Sequence, residues 1–411
     1  MINPILAVGL TILLGLIGGL LIKKVKLPTI TGYIITGIIL SPSLWLLLNL
    51  SPLIPPEFVH GSWGLALITD FGLGIIGFTV GGGLKLRELA GLGKVIPLLL
   101  VFEAGGAILI TTLVLLLFSP FLIELPSMNH YLAFAILIGT MSCATAPAAT
   151  IAIVHEYRAR GPMTSALLAI VAIDDAFALI AFAIGNAIAS SLTGATISLA
   201  TMILHAVLEV AVSLCVGALL GFLMVSFEGF FGEKLLVWTL GVITSIVGLF
   251  IYINEIFGVS LSYILCCMMM GLVVANRGGR SIKATYAIEE LVFVLFFVYA
   301  GMSFEIEALA IAGAIGVLIV IGRWGGKYLG TRAAGRLAKA PEVIQRYLGF
   351  ALLPKAGITI GLALLASKSF PSMGIVLLNG VLASTIINEL IAPPLTKYAL
   401  FKSGEAYAET V

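Results

Sequence analysis

The sequence predicts an all-α polytopic membrane protein of about thirteen transmembrane helices, and three observations predict it. The 411 residues are 60% hydrophobic and only 10% charged, with a mean hydropathy of +1.18. Soluble domains run near a quarter charged. Apolar runs of roughly 20 residues, enough to span the hydrocarbon core of a bilayer, recur from end to end. Lys and Arg gather in alternate connections, the pattern that the positive-inside rule leaves. The net charge of +2 gives no reason to expect a nucleic-acid partner.

In order, the spans read as 3–22, 28–48, 62–84, 94–118, 130–154, 162–189, 197–226, 234–253, 259–275, 285–304, 308–330, 347–367 and 371–397. The first is an anchor, not a cleaved signal peptide, because no basic residue precedes it and Lys23, Lys24 and Lys26 follow it. Connections after odd-numbered spans also carry Lys85, Arg87, Lys94, Arg158, Arg160, Lys234, Arg277, Arg280, Lys283, Arg332, Arg336, Lys339 and Arg346. Those after even-numbered spans carry only Lys368. The N-terminus is therefore expected outside and the C-terminus in the cytoplasm. Three basic residues remain within spans: Arg323, Lys327 and Lys355. Lys327 is expected to snorkel toward a helix end.

Cys143, Cys215, Cys266 and Cys267 all lie in apolar segments and read as small buried thiols, not a disulfide framework. His205 and Glu209 share a helix face, which is too few ligands for a metal site. No cofactor is expected, and the tail after residue 400 is too short for a nucleotide-binding domain.

The chain resembles itself weakly across its halves. "ITDFGLGIIGFTVGGGL" (68–84) lines up with "IEELVFVLFFVYAGMSF" (288–304), "GYIITGIIL" (32–40) with "SYILCCMMM" (262–270), "VFEAGG" (101–106) with "IGRWGG" (321–326), and "APAATIAI" (146–153) with "LPKAGITI" (353–360). Their shared order pairs spans 1–6 with spans 8–13 and leaves span 7 as a linker. An offset of seven spans is odd, so the two copies enter the membrane in opposite senses, as in secondary transporters.

Ionisable groups inside a bilayer cost roughly 2.5–3.5 kcal/mol each on insertion scales, so each is a functional candidate. The candidates are Asp70, Glu103, Asp174, Asp175, Glu209, Arg323, Lys355 and Glu389. Asp174 and Asp175 lie mid-span in "AIVAIDDAFALI" (169–180). Adjacent helical residues point about 100° apart, so the two acids have different neighbours and titrate as a coupled pair. In the repeat-matched "TAPAAT" (145–150) and "LPKAGIT" (353–359), Pro147, Pro354 and Gly357 interrupt the helices. Interrupted helices expose carbonyls and helix ends that can coordinate cations. Ser142 and Thr145 add hydroxyls beside one break, and Lys355 lies in the other. The pairs Gly15/Gly19 and Gly77/Gly81 permit close helix approach.

These stretches, with "KLPTITGYIITGIILSPS" (26–43), "TAPAATIAIVHEYRARGPMT" (145–164), "GRWGGKYLGTR" (322–332) and "LLPKAGITIGLALLA" (352–366), resemble the monovalent cation:proton antiporter superfamily. The closest resemblance is to its bacterial sodium/proton antiporter branch with paired aspartates. It implies two inverted six-helix repeats with crossed broken helices, embedded in the lipid of a bacterial inner membrane. It implies a homodimer. Residues 1–93 and 231–306 would form the dimerisation domain, 94–190 and 307–411 the ion-transport core, and 191–230 the linker. Asp175 matches the main ion and proton carrier, with Asp174 and Thr145 completing a Na⁺ site and Ser142 beside it. Asp174 matches the partner of a basic residue on the eleventh span, and Arg323 stands where electrogenic relatives carry lysine. Lys355, Glu103, Asn388 and Glu389 would balance charge.

The function implied is exchange of a monovalent cation, Na⁺ first and K⁺ as the alternative, for protons, with both as transported ions. A channel or a sodium-coupled symporter on a related broken-helix fold is the rival transport class. An intramembrane aspartyl protease would need facing aspartates on separate helices, and neither Asp70 nor the pair lies in a Tyr-Asp or Gly-x-Gly-Asp setting.

Overall fold

The computed structural model describes residues 4–52, 65–83, 95–193, 199–259, 261–302, 306–355 and 358–406. Gly357 and the side chain of His205 lie outside the described residues. All regular structure among the described residues is helical. In chain order the helices are α1 (Pro4–Lys24), α2 (Thr29–Leu40), α3 (Pro42–Leu47), α4 (Leu65–Gly83), α5 (Val95–Phe118), α6 (Met128–Met141), α7 (Pro147–Glu156), α8 (Pro162–Thr193) and α9 (Leu199–Phe231). Then follow α10 (Leu235–Phe257), α11 (Tyr263–Asn276), α12 (Ser281–Thr285), α13 (Glu289–Met302), α14 (Ile306–Leu337), α15 (Glu342–Ala351), α16 (Ile358–Ser369) and α17 (Gly374–Lys402).

Among the described residues four stretches are long and apolar enough to cross a membrane: Ile5–Lys24, Val95–Phe121, Val207–Phe257 and Gly374–Lys402. A fifth, α8, qualifies if its two segments, which meet just after Asp175, count as one span. Several other apolar helices are short, among them α2, α6 and α11. The chain forms two compact units: Met1–Gly91 with Pro147–Ala152 and Leu208–Phe304, and Leu92–Ala146 with Ile153–Val207 and Glu305–Val411.

In the first unit α2 packs on α1 and α13, and α4 on α11. Glycines set these approaches. Gly37 and Gly301 face each other so closely that a Cβ on either would strike the partner's backbone, and Gly81 and Gly271 serve the α4–α11 pair in the same way. Asp70 accepts a hydrogen bond from the Tyr263 hydroxyl at 2.9 Å, tying α4 to α11. Glu228 accepts from the backbone amides of Arg280 (2.7 Å) and Ser281 (2.9 Å) and from the Ser281 hydroxyl (2.5 Å). It thereby caps α12, whose first amides have no partner within the helix. Cys143, Cys266 and Cys267 are buried as expected, but Cys215 is exposed. It lies on a face of α9 whose large apolar neighbours, Leu219 and Phe222, also point outward.

The second unit is organised on α14, which packs against α5, α15 and α17. Its apolar core draws Leu115, Phe134, Ile138, Phe182, Ile319 and Leu377 from five helices. The α5–α14 seam runs through Gly106, Gly322, Gly326 and Gly330, with backbone against backbone. Small residues that let helices meet this way substitute for hydrophobic force between helices in lipid. At the root of α8, the Glu405 carboxylate accepts from the amides of Met163 (2.8 Å) and Thr164 (2.6 Å) and from the Thr164 hydroxyl (2.7 Å). The Arg160 amide returns a bond to the Glu405 carbonyl at 2.8 Å. Nearby, the Tyr157 and Phe401 rings meet edge-on at 5.2 Å.

A methyl group on Gly330 would fall on the Phe102 carbonyl, whereas Gly105 has open space where its Cβ would be. Forcing extra volume into a packed seam costs about 1–3 kcal/mol. Gly330→Ala is therefore expected to melt below wild type in detergent, and Gly105→Ala to melt with it or above. Equal melting of both variants would contradict the seam.

Candidate functional site

Two helices stop inside the second unit. α6 ends at Met141 and its chain resumes as a helix at Pro147, and α15 ends at Ala351 with helix resuming at Ile358. Pro147 takes the first helical position, where its missing N–H matters least. Each helix that ends leaves its last carbonyls without an intrahelical partner, and in a bilayer no water is there to replace one.

Arg323, fully buried on α14, collects these carbonyls. Its Nε donates to the Ser142 carbonyl at 3.0 Å. One terminal nitrogen donates to Leu353, and the other to Ala144 (2.7 Å), Pro354 (3.2 Å) and Leu352 (3.4 Å). The breaks also bond directly, the Ala146 amide donating to the Pro354 carbonyl at 2.9 Å. A guanidinium has five N–H groups in a fixed fork, which suits carbonyls arriving from two chains. The sequence left open whether Arg323 or Lys355 meets Asp174, and among the described residues neither does: the hydrogen bonds of Arg323 all go to main-chain carbonyls and Lys355 donates to Ser384.

Asp174 pairs with Lys327, one turn further along α14. The Lys327 ammonium lies 2.6 Å from Glu103 Oε2, 3.3 Å from Asp174 Oδ2 and 2.9 Å from the Thr145 hydroxyl oxygen. Thr145 in turn donates a short hydrogen bond to Asp174. Lys327, Glu103 and Asp174 are fully buried. The snorkelling expected of Lys327 is thus overturned: two carboxylates and a hydroxyl fix its head inside the protein. The motif glycine-basic-x-x-glycine occurs twice in overlapping copies, Gly322-Arg323-Trp324-Gly325-Gly326 and Gly326-Lys327-Tyr328-Leu329-Gly330. The second copy supplies the base that meets Asp174, and its signal in the sequence was hidden by the first.

Asp175 stands apart. It is 3% exposed, and no hydrogen bond or ion pair joins it to the described residues. Asp174 Oδ1 and Glu103 Oε1 are likewise buried without a partner. Beside the second break Lys355 donates to the Ser384 hydroxyl at 2.9 Å. Asn388 accepts from Trp324 Nε1 at 2.7 Å and donates to the Ser384 carbonyl at 2.7 Å. Glu389 is buried, with Oε1 unpartnered. The Ser142 hydroxyl turns back to the Ile138 carbonyl at 2.7 Å, so it is the Ser142 carbonyl, not the hydroxyl, that serves the crossing. The structure brings Asp174, Thr145 and Glu103 together around Lys327, and gathers Lys355, Asn388 and Glu389 by the second break with Ser384 and Trp324, which the sequence had not singled out.

Four buried carboxylates (Glu103, Asp174, Asp175, Glu389) accompany three buried bases (Arg323, Lys327, Lys355). A buried charge without a partner is strongly disfavoured. Among these seven buried groups the carboxylates outnumber the bases by one.

A family model described as sodium/hydrogen exchanger, transmembrane, matches residues 9–398. The chain belongs to that family. This exchanger is thus an integral membrane transporter, not an enzyme. Its fold is that of the sodium proton antiporter MjNhaP1 from Methanocaldococcus jannaschii. A structure of that protein at pH 8 shares 17% identity and a TM-score of 0.68, over 97% of this chain and 98% of the other. A model from an electron microscopy map of the same antiporter gives 17% identity and a TM-score of 0.73, over 98% and 96%. No curated protein matches the exchanger.

Truncating Lys327 to Ala would leave Glu103 and Asp174 buried without their base. Removing one member of a buried ion pair costs about 3–5 kcal/mol. Lys327→Ala is expected to melt far below wild type in detergent, and Lys327→Arg, which keeps the charge, to recover part of the loss. A wild-type melting temperature for the Ala variant would refute the pairing.

Proposed function

We propose that this exchanger moves a monovalent cation, Na⁺ first, against protons by alternating access. One observation carries this reading: Asp175 is buried, has no side-chain hydrogen bond or ion pair among the described residues, and is the fourth buried carboxylate of a group that holds three buried bases. A cation or a proton neutralises that surplus, and the two compete for the same negative charge. Asp175 is the carrier. Asp174, with the Thr145 hydroxyl, completes the cation site when it releases Lys327. Arg323, Lys355, Glu103, Asn388 and Glu389 hold the remaining charge and the helix ends. No cofactor takes part.

An inverted-repeat architecture of thirteen spans fits the packing. If span 2 corresponds to span 9 and span 3 to span 10, the α2–α13 contact is the counterpart of α4–α11, and both are extensive. The α5–α14 seam joins spans 4 and 11, which the repeat would exchange, and Glu103 and Arg323 occupy matched places on it. The compact units support a division of labour. The first would hold a homodimer together, and the second would carry the ion and shift to open the site to either side. Lys and Arg placement supports an outside N-terminus and a cytoplasmic C-terminus in a bacterial inner membrane. Na⁺ is preferred to K⁺ because the antiporter of similar fold is named for sodium.

Proteoliposomes with an imposed pH gradient test the proposal. Wild-type protein is expected to dissipate the gradient on addition of Na⁺, and Asp175→Asn to lose the response. Dissipation by the Asn variant at the wild-type rate would sink the carrier assignment. Conductance without a pH gradient would mark a channel instead, and a response to K⁺ alone would reassign the cation.

A further inference from the structure

Outside the ion site, the first unit holds a cleft of about 590 Å³ between α9 and α10. That volume is typical of ligand sites. Leu220 and Phe231 line it from α9, and Trp238, Gly241 and Ser245 from α10, with Lys234 at one end. From Lys234 to Ser245 the cleft follows α10 for about 16 Å at the helical rise. One leaflet of hydrocarbon is about 15 Å deep, half of a bilayer core. The walls are mainly apolar, with Ser245 at one end and Lys234 at the other, and near Lys234 the Phe231 ring stacks on the Trp238 indole at 4.2 Å. The indole N–H of Trp238 is buried with no partner, although an indole inside a protein usually finds an acceptor.

We propose that this cleft is a binding site for one anionic membrane phospholipid, with an acyl chain along Gly241 and the phosphate at Lys234. The inference is separate from the exchange reaction. Three features fit that occupant together. The cleft is as long as one leaflet is deep, it is lined mainly by apolar residues between Ser245 and Lys234, and its single cation stands at one end. Lys234 belongs to a connection that the positive-inside pattern puts in the cytoplasm, and the cytoplasmic leaflet carries the anionic lipid. Trp238 follows Lys234 by one helical turn, and aromatic residues gather where a membrane meets its headgroups.

Gly241 makes a clean variant possible, because no atom lies within 4 Å of where its Cβ would be. Gly241→Leu adds an isobutyl group to the cleft wall, starting from a Cβ that meets no neighbour. Purified protein would be titrated in lipid-free detergent with phosphatidylglycerol and, separately, phosphatidylethanolamine, and bound lipid counted by native mass spectrometry. Wild type is expected to retain one phosphatidylglycerol per protomer in preference to phosphatidylethanolamine. Lys234→Glu is expected to weaken phosphatidylglycerol retention about fivefold or more. Gly241→Leu should retain neither lipid while melting as wild type without lipid. Equal retention of the two lipids, or retention unchanged in both variants, would overturn the site. So would a Gly241→Leu protein that binds lipid normally but no longer dimerises, since a second copy would then be the occupant.

Discussion

The carbonyls of two interrupted helices have to be satisfied where no water is available, and Arg323 is the group that does it. A break in a spanning helix is tolerated only where protein or a wet cavity replaces the lost hydrogen bonds. Here a single guanidinium reaches carbonyls at 142, 144, 352, 353 and 354. The hydrogen bonds of Arg323 among the described residues all go to the main chain, and the acids meet Lys327 one turn away. A lysine is suited to this: its ammonium is a compact charge with three donors, and here it meets three oxygens on three different helices or breaks. Two neighbouring bases on one helix thus divide two tasks, one structural and one electrostatic.

The same helical geometry makes two identical side chains unequal. Asp174 and Asp175 are adjacent, yet a turn of about 100° per residue puts only the first within reach of Thr145 and Lys327. The second is left with the burial and without the partners. Chemical difference between two aspartates therefore arises from the direction in which α8 presents them.

Much of this could be read from the residues beforehand. The long apolar runs, the aspartate pair and the two prolines are local signals, and each marks a real feature: helices throughout the described residues, a buried carboxylate pair and two helix interruptions that touch. What could not be read were partnerships set by three-dimensional register. Arg323 and Lys327 both satisfy the same five-residue pattern, and nothing in the sequence says which lies level with Asp174. Lys327 resembled a snorkelling side chain because spacing from a span end was the only guide to its depth. Ser384 and Trp324 gave no signal, being ordinary residues made important by Lys355 and Asn388. Cys215, in as apolar a run as the other cysteines, was assigned inward because hydropathy in a membrane protein does not distinguish the lipid face from the core.

Glu405 adds a consequence in time. It satisfies amides at the root of α8, in a residue pair 241 positions apart in the chain. During synthesis those amides have no Glu405 acceptor until residue 405 has been made. Intervening helices, α14 with both its bases among them, are laid down before that knot is tied. The contact that holds the root of the aspartate helix thus depends on a residue made after every other helix of its unit.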